Sequence, residues 1–123
     1  MIDGFDKPKL QIRVKFTPAW FMGPGKADLL DLIDKTGSIA AAGREMGMSY
    51  KRAWQLVETM NAMFRDPLVE STRGGASGGG AALTPIGKSV LAAYRKLEVQ
   101  TERVGQDAIE EMQSLLGDTP GRK

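Results

Sequence analysis

The 123-residue sequence contains no cysteine and no histidine. Without thiols there is no disulfide framework, no thiolate metal site and no sulfur nucleophile. Without imidazoles, the most frequent general base and zinc ligand are missing as well. No paired constellation of Ser, Lys, Asp or Glu takes their place, so the expectation is a non-enzyme with no catalytic residue, no cofactor and no metal site. Long apolar runs are also lacking. No stretch approaches the ~20 apolar residues of a membrane span, and the amino terminus carries no secretion-type segment, which gives a cytoplasmic chain without membrane contact as the expectation. What remains is an ordinary globular composition. With 41% hydrophobic and 26% charged residues, the chain is long enough for one domain with a core of its own.

A formal charge of +2 says little about partners, but its distribution says more. Between Arg44 and Lys96 there are eight cations against four acids, an excess of four. Acids gather instead at Asp28, Asp31 and Asp34, and again at Glu98, Glu102, Asp107, Glu110 and Glu111. Those acidic faces should point away from any polyanion.

Leu10 to Phe16 alternates apolar and polar residues, the period of a strand with one buried face. Its outward Arg13 and Lys15 would discourage sheet extension and are given no further role. Thr17-Pro18 to Pro24-Gly25 reads as turn. The apolar pattern from Ala27 through Ile33 then predicts a helix stopped by Gly37, with the aspartates on its exposed stripe. Ser38 is placed to cap a second helix reaching about Met46, in which Ala40, Ala41 and Ala42 allow a neighbouring helix to approach. Gly47 supplies a tight turn, and Ser49 caps a third helix. On that third helix Ala53, Leu56, Val57, Met60 and Phe64 share one side, while Lys51, Arg52, Gln55 and Thr59 share the other. Trp54 is expected at the edge of the packed side, within the core rather than on a ligand, and Met46, Met48, Met60 and Met63 as core gap-fillers.

Asp66-Pro67 ends the third helix. A strand-like Leu68 to Arg73, five glycines between Gly74 and Gly80, and Ala82 to Thr84 then read as a hairpin. Thr84 and Pro85 are the cap and first residue of a last, long helix. Its residues Ile86, Val90, Leu97, Val104, Ala108 and Met112 recur at helical spacing over some thirty residues, more apolar stripe than so small a domain can cover. A second copy of the same helix is the expected cover, giving a homodimer through those residues. The fold expected is thus mainly α with a small β-sheet: a winged helix-turn-helix domain over residues 1–116, including a dimerisation helix at about 85–116, followed by a flexible tail at 117–123.

Two short helices joined by a glycine turn, the second opening on adjacent cations, form a helix-turn-helix signature, and the partner implied is double-stranded DNA. The residues expected to contact it from the helices are Ser38, Ser49, Tyr50, Lys51, Arg52, Gln55 and Thr59. Those expected from the wing are Arg73, Gly74, Gly75, Gly78 and Gly79, the glycines through backbone N–H groups near phosphate. A nucleotide-binding P-loop is ruled out for the same glycines, because no Gly-Lys-Ser/Thr closes the run.

From about Asp28 to Glu98 the chain resembles the amino-terminal DNA-binding domain of the ModE family of molybdate-responsive transcriptional regulators. The resemblance rests on Thr36-Gly37-Ser38-Ile39 with the alanine run, on Ser49-Tyr50-Lys51-Arg52-Ala53-Trp54, and on the glycine wing running into Leu83-Thr84-Pro85-Ile86-Gly87. It implies a dimeric regulator of genes for molybdate transport or molybdoenzymes. Full-length sensors of that family add carboxy-terminal molybdate-binding modules, whereas this chain stops after the long helix. The resemblance therefore implies a stand-alone regulator or one working with a separate molybdate-binding protein, with no oxyanion site of its own. Two alternatives stand beside it: a DNA-binding half similar to LysR-type regulators acting on unrelated genes, and a winged-helix module that binds another protein.

Overall fold

The computed structural model describes residues 8–73 and 79–117. In chain order these form β1 (Val14–Lys15), β2 (Phe21–Met22), α1 (Pro24–Thr36), α2 (Ile39–Glu45), α3 (Tyr50–Met63), β3 (Val69–Arg73), β4 (Gly79–Leu83) and α4 (Pro85–Ser114). The strands pair as two antiparallel hairpins, β1 with β2 and β3 with β4. The architecture is mainly helical, with a helix-turn-helix formed by α2 and α3, a wing formed by β3 and β4, and a long last helix.

Local chemistry accounts for most of the boundaries. Gly37 and Gly47 both adopt φ 73°, the left-handed conformation that ends α1 and turns α2 into α3. The Ser38 hydroxyl accepts from Ala41 N–H at 3.0 Å, the Ser49 hydroxyl from Arg52 N–H at 3.1 Å, and the Thr84 hydroxyl from Gly87 N–H at 3.0 Å. Each cap satisfies one orphan donor and is worth ~0.5 to 2 kcal/mol to its helix. The expected first helix is longer than its apolar pattern suggested, because Pro24 occupies its first turn, where a missing N–H costs nothing.

One core holds these elements together. Leu29, Leu30 and Ile33 of α1, Val57 and Met60 of α3, and Leu68 are fully buried, and burying each such side chain contributes roughly 1.5 to 3 kcal/mol. Gly43 lies at the close approach of α2 to α3 beside the buried Ala42, and an added Cβ there would stand 2.9 Å from that of Ala53. Met46 and Met48 pack half-buried against this core, and Met60 and Met63 lie within it.

The amino-terminal segment departs from expectation. Only Val14 and Lys15 of the seven-residue alternation enter a ladder, and their partners are Phe21 and Met22, which the sequence reading left in a turn. The physical reason is the shortness of the available partner: Thr17 folds the chain back by accepting from Trp20 N–H at 3.0 Å, and α1 begins at Pro24. Beyond the ladder, the carbonyl of Ile12 is taken by the Tyr94 hydroxyl of α4 at 2.6 Å. Burial raises the pKa of that phenol, with Glu98 adding to the effect, so it stays a donor.

Candidate nucleic-acid interface

The exposed side of α3 is built by its own cap and its own periodicity. Because Ala53, Val57 and Met60 are buried, Lys51, Arg52, Gln55 and Thr59 are turned to solvent one after another along the opposite side. Tyr50 stands beside them at 57% exposure. Trp54 does not join the core as expected: at 38% exposure it lies at the rim, between the packed side and the cationic one. The indole edge is thus available to the same surface.

Among the described residues, no carboxylate lies within ion-pair distance of Lys51 or Arg52. Their charges are free to meet an anion without first giving up a partner. Arg95, which entered the cation excess on equal terms, is different. Its guanidinium binds Asp28 at 2.8 Å, Glu98 at 3.0 Å and Asp31 at 3.6 Å. Burial works against the charged form of Arg95, but hydrogen bonds to Asp28 and Glu98 outweigh it and raise its pKa further. Arg95 therefore drops out of the cation excess, whereas the adjacent Lys51 and Arg52 at the start of α3 remain in it.

Ser38 caps α2 and Ser49 caps α3, with their hydroxyl oxygens occupied by backbone N–H groups and their hydroxyl protons still able to donate. Arg73 ends β3, and its backbone pairs with Gly79 at the start of β4. Gly74, Gly75 and Gly78 lie outside the described residues. The wing's position, by contrast, is well defined at its base. Asn61 of α3 accepts from Leu68 N–H at 2.8 Å and from Val69 N–H at 3.1 Å, and donates to the Val69 carbonyl at 3.1 Å. Ala81 N–H of β4 donates to the Gly37 carbonyl at 2.9 Å, which ties the wing to the turn ahead of α2. The sequence pattern does not single out Asn61, a polar residue in the last turn of α3. A residue able to make three side-chain bonds, placed eight residues before a strand, is the one signal available.

Of the residues expected to face a second copy, Ile86 and Val90 pack half-buried against the domain's own core. Leu97 is also half-buried, while Val104 and Met112 are exposed at 84% and 63%. Ala108 is exposed between them. The root of α4 thus belongs to the fold, while one side of its far half, at Val104, Ala108 and Met112, stays exposed. Among the described residues, no helix is long and apolar enough to cross a membrane.

Comparison with known proteins agrees with this geometry. Residues 27–88, the span from α1 through the wing into α4, match the family described as bacterial regulatory helix-turn-helix protein, lysR family. The chain is 49% identical to the molybdenum-pterin-binding protein MopB of Rhodobacter capsulatus over 77 residues, covering 63% of this chain and 28% of that protein. It is 36% identical to the transcriptional regulator ModE of Haemophilus influenzae over 111 residues, 88% of this chain and 44% of the relative. It is 35% identical to the DNA-binding transcriptional dual regulator ModE of Escherichia coli over 86 residues, 70% of this chain and 33% of the relative. The chain spans less than half the length of each of these relatives. The resemblance read from the Ser-Tyr-Lys-Arg-Ala-Trp string and the glycine wing is borne out by them.

Proposed function

The chain belongs to the bacterial regulatory helix-turn-helix proteins of the lysR family, and from that premise we propose that it is a sequence-specific DNA-binding regulator of genes for molybdenum uptake or use. The observation that carries this reading is the side of α3 on which Lys51, Arg52, Gln55 and Thr59 stand exposed, with both cations unpaired among the described residues. A helix so disposed fits the major groove, where Arg and Lys bond to guanine and Gln to adenine, while backbone N–H groups at its start favour phosphate. The molybdenum context is supported by the printed names of the relatives, two of them ModE regulators.

The working form is a homodimer joined through the far half of α4. Val104, Ala108 and Met112 recur every fourth residue and stay exposed in the single chain, a stripe that a second copy would cover. Two copies related by a two-fold axis would present two α3 helices to the half-sites of a palindrome. Selection of genomic fragments with the purified protein, followed by fluorescence anisotropy and sedimentation, tests both parts. Enrichment of a two-fold motif near molybdenum genes by a species of twice the chain mass is the expected result. Enrichment of no fragment at low salt would overturn the reading, and a monomer bound to a single half-site would remove the dimer from it.

A further inference from the structure

Arg13 and Lys26, on the hairpin and on α1, have no part in the α3 reading. Arg13 is exposed just ahead of β1, with its guanidinium carbon 4.3 Å from the centre of the Phe21 ring. The Lys26 ammonium stands 3.3 Å from the same centre and donates to the Phe21 carbonyl at 3.0 Å. One aromatic ring therefore anchors two cations. Neither has a carboxylate within ion-pair distance among the described residues. Burial, and after it the nearby charges of Arg13 and Arg52, lowers the pKa of Lys26, so the hairpin cations and the start of α3 share one field.

Like charges this close repel, and among the described residues no acid forms an ion pair with either of them. Asp28 and Asp31 of α1 are engaged elsewhere, with Arg95 and Lys35. Lys26 is only 7% exposed and cannot reach out to a ligand. Arg13 can, and its stem is already steadied on the ring, which lowers the entropy lost when the guanidinium is fixed on an anion. A guanidinium matches the paired oxygens of a phosphate diester.

We propose that Arg13 is a second point of attachment to DNA, gripping a backbone phosphate flanking the stretch that α3 reads, with Lys26 as a fixed positive charge behind it. The proposal rests on the reading of α3 given above. It makes the amino-terminal segment part of the interface.

The test is the salt dependence of binding to the enriched fragment and to an unrelated duplex, for the full chain and for Arg13→Gln, Arg13→Lys and Arg52→Gln, with thermal melting of each. Arg13→Gln is expected to weaken binding by the same factor on both duplexes and to lower the slope of log K against log salt by about 0.9 for each Arg13 engaged. Arg13→Lys should keep the parent slope. A parent slope in Arg13→Gln, alongside weakened binding in Arg52→Gln, would overturn this inference alone and leave Arg13 as a staple of the hairpin, visible only in the melt. Failure of the parent chain to bind either duplex would overturn the α3 reading and this one with it.

Discussion

Among the described residues the cations at the start of α3 stand without an ion-paired carboxylate, whereas at the root of α4 a single arginine is held by three. Both regions are basic in a count of charges along the chain. In space one is an open positive surface and the other a neutralised joint, because α1 turns Asp28 and Asp31 toward α4 and leaves α3 untouched. The difference teaches that a cation excess locates an anion-binding surface only after the ion pairs of the fold have been subtracted.

The strongest way to break the joint is through its packing rather than its charges. A Cβ on Gly87 would be driven into the Leu68 carbonyl, so Gly87→Ala is expected to cost about 3 kcal/mol of stability, read as a lowered denaturation midpoint. On the open surface, Arg52→Gln should cost ~1 to 3 kcal/mol of DNA affinity if the side chain meets a base, and should leave the melting curve nearly unchanged. A melting loss as large as the binding loss would mean that the surface is structural. Asn61→Ala should destabilise by about 1.5 kcal/mol by orphaning the backbone groups of Leu68 and Val69. It should also loosen amide exchange in the wing ahead of the rest of the chain. The smallest effect belongs to Arg95→Gln: less than about 1 kcal/mol of stability for a part-exposed cluster, with the salt slope of DNA binding unaltered. A fall in that slope would place Arg95 on the DNA and erase the contrast.

What could be read from the sequence follows the range of the interactions involved. Ser38, Ser49 and Thr84 each bond to an N–H three residues on, and Gly37 and Gly47 each answer to a turn of their own neighbourhood. Such signals lie within one window of sequence, and the order of helices and the wing came from them. The misjudged features depend on partners far away. The short β1–β2 ladder is completed by Tyr94, eighty-two positions from the Ile12 carbonyl it bonds, and Arg95 meets Asp28 across sixty-seven. The Trp54 position depends on an angle between packed helices that a helical wheel, accurate to one residue, does not contain. The hairpin cations escaped for the same reason, since the ring that gathers them belongs to a strand that the sequence left as turn.

The tether at Arg95 also sets a leverage. Nineteen residues separate it from Ser114, a distance of about 28 Å at the ~1.5 Å rise of a helix, so a tilt of only ~5° at the joint would sweep the tip through roughly 2.5 Å. Whatever docks against Val104 and Met112 would inherit that sweep. In the proposed dimer, the gap between two α3 helices carried by such arms would be governed by Asp28 and Asp31 of α1 and Glu98 of α4, and half-site spacing would become a property of protein hinges as much as of grooves.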